Sequence, residues 1–174
     1  MRGPLAIALA ALIACTGVGI FGLTDAEKAG NRGVDAFSNG DYDRAIVEFT
    51  EAIRLDPKDE RAYRVRCMSW FRKREFDRAI SDCDQAILLD PKGTDARLTR
   101  AAALQSKKDV DGAIAGYTDT IRLNPKFTSA YLFRGQLYDF KKDCARAAAD
   151  FEAARRIDPA REGQFVGSRK MNCR

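Results

Sequence analysis

The stretch GDYDRAIVEFTEAIRLDP, residues 40–57, decides the fold of this chain. Its apolar residues recur at intervals of three and four, at Tyr42, Ala45, Ile46, Phe49, Ala52 and Ile53. That spacing places them on one face of a helix. The Asp56-Pro57 pair ends the helix, because the residue before a proline is pushed out of helical backbone angles. The stretch therefore predicts an amphipathic helix that starts near Tyr42 and stops before Pro57.

The same pattern returns along the chain at a fixed interval of 34 residues, the spacing between Pro57, Pro91, Pro125 and Pro159. Two columns of small residues keep this register: Ala45, Ala79, Ala113 and Ala147, and Gly33, Cys67, Ala101 and Gly135. A polar break such as residues 38–41 divides each unit into two helices. A strict period of this length predicts stacked copies of one helical hairpin, an all-α solenoid. The units are 26–59, 60–93, 94–127 and 128–161.

These residues resemble the tetratricopeptide repeat (TPR), a 34-residue helix-turn-helix unit with small residues in both helices and a closing proline. The resemblance covers residues 26–161 and is carried by residues 40–46 and 52–57 and their equivalents. It implies a right-handed α-α superhelix of four units. It also implies that the first helices line a concave groove that binds proteins or peptides.

Composition argues against an enzyme. The chain has no histidine, which removes histidine-based acid–base catalysis and histidine metal sites. It has no glycine-rich phosphate loop and no Cys-x-x-Cys pair. Its 30 basic and 25 acidic side chains are spread along the chain, which does not favour nucleic-acid binding. We therefore expect no catalytic residues, no cofactor and no metal.

The N-terminal segment, residues 1–25, predicts export. Leu5 to Leu23 carry no charge and Arg2 precedes them, an arrangement that favours a cytoplasmic N-terminus with the repeats outside. Leu12-Ile13-Ala14-Cys15 resembles the lipobox of bacterial lipoproteins, in which Cys15 is lipidated. An uncleaved membrane anchor and an ordinary cleaved signal are two further interpretations. All three place the repeats in the bacterial periplasm or envelope, tethered to the membrane through the N-terminus alone in the first two interpretations and soluble after cleavage in the third.

The groove positions follow from the register of the first helices. The residues expected to bind a partner combine cations with apolar and aromatic side chains, which interfaces favour: Arg61, Arg64, Met68, Phe71, Arg72, Leu98, Leu132, Phe133, Gln136 and Phe140. One TPR subfamily grips the carboxylate of chaperone tails with lysine, asparagine and arginine. The matching positions here are Gly30, Val34, Val65, Asp95 and Thr99, so we expect a different partner.

The function indicated is a protein-interaction scaffold or assembly factor of the cell envelope. Alternatives are a solenoid that assembles with its own copies and an accessory subunit that binds an acidic polysaccharide. The partner and the oligomeric state are left open by the sequence.

An arginine column, Arg32, Arg66, Arg100 and Arg134, also repeats at 34. In an antiparallel hairpin it faces Glu48, Asp82, Gly116 and Asp150. We expect ion pairs in units 1, 2 and 4 and none of this kind in unit 3. The functional alternative is a cationic binding ladder.

The cysteines predict disulfides in an oxidising compartment. Residues 162–174 are expected to form a short C-terminal cap or tail, and a return path along the last helix brings Cys173 near Cys144. A Cys144–Cys173 bridge is favoured on this ground. A Cys67–Cys83 bridge across one hairpin is ranked below it, since both residues also suit plain packing positions.

Overall fold

The computed structural model describes residues 22–161, with no side-chain description for the last of these. Within that range the chain forms eight α-helices and a final 3-10 turn, Pro159–Arg161. The helices are α1 Asp25–Ser38, α2 Tyr42–Leu55, α3 Glu60–Arg72, α4 Phe76–Leu89, α5 Asp95–Ser106, α6 Val110–Leu123, α7 Thr128–Phe140 and α8 Cys144–Ile157. They pair as antiparallel hairpins, α1 with α2 through α7 with α8, and each hairpin packs on the next. The described part of the chain is the expected all-α solenoid.

Three of the four hairpins start the second helix with a capping aspartate, and all four end it in the same way. Asp41, Asp109 and Asp143 accept a hydrogen bond from a backbone N–H in the first turn of α2, α6 and α8. At the other end, Asp56, Asp90, Asn124 and Asp158 leave helical geometry immediately before a proline. Because the start and the end both keep the 34-residue register, every second helix is 14 residues long.

The turn inside each hairpin needs one residue in the left-handed region. Gly40 takes it in the first hairpin at φ 77°. Arg74, Lys108 and Lys142 take it in the others, at φ 65°, 68° and 62°. A side chain in this region carries a steric cost that glycine does not.

The helices of one hairpin cross closely at two positions 16 residues apart. In the first hairpin a Cβ on Gly33 would lie 2.9 Å from the Phe49 ring, so the ring fills the space of the missing side chain. Gly135 and Phe151 repeat this arrangement in the fourth hairpin. In the second hairpin a disulfide joins Cys67 and Cys83 at the same crossing, with their Cα atoms 5.4 Å apart. Cys173, the predicted partner of Cys144, and the predicted cap at 162–174 lie outside the described residues.

The arginine column joins the first helix of a hairpin to its second helix, as expected. Arg32 pairs with Glu48, and Arg66 and Arg134 make two-pronged pairs with Asp82 and Asp150, with closest N–O distances of 2.7 Å. The ion pairs expected in units 1, 2 and 4 are confirmed. These arginines are held in ion pairs within their own hairpins, which argues against a free cationic ladder.

The third hairpin lacks this pair, and its arginine pairs instead with an acid of the preceding hairpin. Arg100 donates to Asp84 of α4, the helix before it, at 2.6 Å. The corresponding backward contacts of Arg66 and Arg134 go to Thr50 and Thr118. An acid cannot stand at Gly116, because a Cβ there would lie 2.9 Å from the Cβ of Ala101.

The last helix does not repeat the apolar face that receives a following hairpin. Ile80 and Ile87 pack among residues of α5, including Ala96 and Ala103. The positions 68 residues further along the chain are Ala148 and Arg155, both exposed. The fourth hairpin is thus shaped as the end of a stack.

No helix between residues 22 and 161 is both long and apolar enough to cross a bilayer. The predicted export segment, including Cys15, lies outside the described residues except at its last few positions.

Candidate peptide-binding groove

A groove of about 620 Å³ opens between the first helices of the second, third and fourth hairpins. Residues on one face of each helix line it: Met68, Phe71 and Arg72 from α3, Leu98, Thr99, Ala102, Gln105 and Ser106 from α5, Phe133 and Gln136 from α7, with Tyr117 of α6. Their spacings of three and four residues put each set on a single helix face. The 34-residue repeat aligns the three faces.

Tyr117 forms a polar contact within this apolar lining. Its hydroxyl donates to Gln105 Oε1 at 2.9 Å, and its ring centre lies 5.6 Å from that of Phe133. Burial raises the pKa of Tyr117 well above its usual value, so the hydroxyl stays protonated and remains a donor. This contact occupies the Gln105 oxygen and leaves the amide N–H groups of that side chain as donors toward the groove.

The two hydroxyl residues of α5 are turned back to their own helix. Thr99 donates to the Asp95 carbonyl at 3.0 Å, and Ser106 donates to the Ala102 carbonyl at 2.9 Å. They therefore present oxygen lone pairs, and not hydrogens, to a ligand. Gln136 is exposed on the opposite wall and supplies both a donor and an acceptor.

Arg72 is the one charged residue among those lining the groove. Its side chain is exposed, and no ion pair of Arg72 occurs within residues 22–161. The neighbouring Lys73 pairs with Asp43 of α2, as Lys107 pairs with Asp77 and Lys141 with Asp111. The groove is thus apolar, hydrogen-bonding and singly cationic.

Six of the ten sequence-predicted partner residues line this groove: Met68, Phe71, Arg72, Leu98, Phe133 and Gln136. Arg64 lies nearby but is held by Glu60 at 3.1 Å and by Asp95 at 3.8 Å. Phe140 stands at the end of α7 with 69% of its surface exposed, outside the lining set.

The remaining two predicted residues lie elsewhere. Leu132 is buried against Ala154 of α8, because its position on α7 faces the partner helix of its own hairpin. Arg61 lines a separate cleft of about 480 Å³ beside α1, together with Glu27 and Asn31. These placements show where the side chains lie and leave their binding roles as predictions.

Tyr117 is the groove residue that sequence reasoning missed. Its column otherwise holds Phe49, Cys83 and Phe151, which are hairpin-crossing residues. The signal that distinguishes it is the hydroxyl, carried by this member of the column alone. Because Ala101 takes the small position facing it, the ring sits at the base of the groove.

The described residues contain no group of three or more side chains arranged to hold a metal ion. Of the five positions that carry the carboxylate-gripping set in chaperone-tail binders, Thr99 alone lines the groove.

A family model for the tetratricopeptide repeat matches residues 31–96 and 98–162, most of the chain. The chain belongs to the tetratricopeptide repeat family. No match among curated proteins was found.

Solved TPR structures share the fold. A crystal structure of the MamA protein is 21% identical with a TM-score of 0.72, over 78% of this chain and 74% of that one. The TPR domain of Arabidopsis OM64 is 26% identical with a TM-score of 0.65, over 67% of this chain and 96% of that one. The first TPR of Spaghetti (RPAP3), bound to the HSP90 peptide SRMEEVD, is 27% identical with a TM-score of 0.64, over 65% and 90%.

Proposed function

We propose that this TPR protein is a protein-interaction scaffold of the cell envelope that holds a segment of its partner in the groove between α3, α5 and α7. The observation that carries the proposal is the groove itself. Three consecutive hairpins contribute aligned apolar side chains to one open cleft, interleaved with hydrogen-bonding groups. A volume of about 620 Å³ accommodates a few side chains of a peptide.

The relatives support binding of this kind. The first TPR of Spaghetti (RPAP3) is solved with a peptide bound. The carboxylate-gripping residues of chaperone-tail binders are replaced here by Gly30, Val34, Val65, Asp95 and Thr99. The partner proposed for this chain is accordingly a protein other than a chaperone tail.

Two features support the envelope location. One is the uncharged N-terminal segment between Leu5 and Leu23. The other is the fully buried disulfide between Cys67 and Cys83, a bond that persists in oxidising compartments. The proposed function assigns neither Cys67 nor Cys83 a role in metal binding or catalysis.

The binding role is tested by site-specific photocrosslinking in an envelope extract. A benzoylphenylalanine placed at Gln136 reports on the groove, and one placed at Gln85 of α4 is the matched control. Both positions are exposed on helices, but Gln85 is not among the groove residues. We expect a discrete crosslinked protein from position 136 and none of the same mass from position 85. Crosslinking of the same protein from both positions, or from 85 alone, would contradict groove binding.

The location is tested separately. A C-terminal alkaline phosphatase fusion to the full chain, active only after export, is expected to be active in intact cells. Deletion of residues 1–21 is the control and should abolish the activity. An active fusion without that segment, or an inactive fusion with it, would contradict export.

A further inference from the structure

The groove presents a single charge, and that charge identifies the chemistry of its ligand. Arg72, at the end of α3, is the charged member of the lining set. Asp95, the acid at the start of α5, does not line the groove and contacts Arg64. A guanidinium in such a setting pairs with a carboxylate, because no acidic side chain lines the cleft to neutralise it.

The apolar part of the groove lies beside that cation. Phe71 and Met68 precede Arg72 by one and four residues on the same helix, and Leu98 and Phe133 face them from α5 and α7. Phe71 is half-buried against Phe76, with ring centres 5.8 Å apart, so its position is fixed by the fold. A bulky apolar side chain therefore fits within one or two residues' reach of a carboxylate on Arg72.

Hydrogen-bonding groups of the groove suit a peptide backbone. Gln105, held through its oxygen by Tyr117, offers N–H donors to a carbonyl oxygen. Gln136 offers both a donor and an acceptor, the pair that one peptide unit needs. Thr99 and Ser106 present acceptors, because their hydrogens are already donated to their own helix.

We propose that the groove recognises a peptide segment in which a bulky apolar side chain enters the space between Phe71, Leu98 and Phe133 and a neighbouring carboxylate pairs with Arg72. This inference rests on the proposed function and adds the chemistry of the partner. A free amphiphilic carboxylate would have the charge and the apolar part of such a peptide, but it would lack the backbone amides with which Gln105 and Gln136 can form hydrogen bonds.

The test uses three libraries of fluorescent heptapeptides that differ at one position. Each has a fixed leucine and, two residues later, a fixed Glu, Gln or Lys, with blocked termini so that this residue supplies the only fixed charge. Binding to the full chain is measured by fluorescence anisotropy. We expect the Glu library to bind about tenfold more tightly than the Gln library and the Lys library to bind most weakly, because a carboxylate forms charge-assisted hydrogen bonds with Arg72 that a neutral amide does not.

Variants of the protein locate the effect. Arg72→Glu should reverse the order of the Glu and Lys libraries, and Arg72→Gln should remove the difference between them. Arg74→Gln is the matched control, because Arg74 is an exposed arginine two residues away that does not line the groove. It should leave the order unchanged. Dodecanoate is the competitor that tests a free carboxylate, and we expect it not to displace the peptides.

The outcomes separate this inference from the proposed function. Equal binding of the Glu and Lys libraries, an unchanged order in Arg72→Glu, or no binding of any library would overturn the inference. Displacement by dodecanoate at its own micromolar affinity would overturn the peptide assignment. The crosslink from Gln136 to a protein would stand in all these cases, and its absence is what overturns the proposed function.

Discussion

The first and second hairpins solve one packing problem in two ways. Where α1 crosses α2, Gly33 leaves room that the Phe49 ring fills, and where α3 crosses α4, Cys67 and Cys83 form a covalent bond. The backbone, the 16-residue separation and the neighbouring arginine pair are shared. The first crossing is therefore held by the packing of an aromatic ring and the second by a disulfide bond, although both occupy the same place in the repeat.

The largest expected effect comes from breaking the shape-based crossing. Phe49→Ala should lower the free energy of unfolding by about 3–5 kcal/mol, because the ring is fully buried and little can collapse into the space it leaves. Urea unfolding followed by helical circular dichroism measures it. Val47→Ala on the same helix is the control, since Val47 is 68% exposed and its truncation should cost much less. Similar losses in the two variants would contradict the crossing role of Phe49.

Breaking the covalent crossing comes next. Reduction of the Cys67–Cys83 bond should cost about 3 kcal/mol, the chain-entropy value for a loop of about this length. The measurement compares urea unfolding with and without dithiothreitol in the wild type and in the Cys67→Ala/Cys83→Ala variant. The variant's own response removes the contribution of the other cysteines. If dithiothreitol shifted both proteins equally, the bond would have no stabilising role.

The arginine pairs sharpen the comparison. Asp82→Ala should cost about 2 kcal/mol, because Asp82 accepts two hydrogen bonds from Arg66 and both side chains are largely buried. Glu48→Ala should cost about 0–1 kcal/mol, since its partner Arg32 is half exposed. Urea unfolding of the two variants gives the difference directly. A larger loss from Glu48→Ala would show that burial does not set the strength of these pairs.

The smallest expected effect lies in the turns. Arg74→Gly should stabilise the second hairpin by about 0.5–1 kcal/mol, because glycine has no steric cost at positive φ. Gly40→Ala at the equivalent turn should destabilise the first hairpin by a similar amount or more. Thermal and urea midpoints of both variants test the pair. Shifts of the same sign in both variants would contradict this account.

The solenoid could be predicted from the sequence because the 34-residue period fixes both where the second helices end and which residues face each other across a hairpin. The proline interval sets the length of the repeat, and residues 16 apart must face each other across an antiparallel hairpin. The pairing of Arg66 with Asp82 follows from that arithmetic. Its absence at Gly116 was predictable for the same reason, but the substitute contact with Asp84 was not, because it depends on how successive hairpins are spaced.

The groove was less predictable than the fold. Register on the first helices found residues such as Phe71 and Phe133, which line it. It misplaced Leu132, because a small rotation of α7 decides whether an apolar side chain faces the groove or the adjoining helix. It missed Tyr117, which reaches the groove from a second helix. The ion pairs of Arg64 with Glu60 and Asp95 depend on side-chain geometry, which the 34-residue repeat pattern does not show.

The alternating contacts of the arginine column also fix the order of the repeats. Each arginine after the first lies between its own second helix and the preceding one, and each finds one carboxylate there. Excision of residues 60–93 would set Arg100 between Thr50 and Gly116, with no carboxylate on either side.

Excision of residues 94–127 would instead set Arg134 between Asp84 and Asp150, with two carboxylates for one guanidinium. The four hairpins have nearly interchangeable backbones, but their charges are complementary only in the native sequence of neighbours. Duplication or shuffling of single repeats would therefore carry an electrostatic cost that depends on which neighbour each repeat meets.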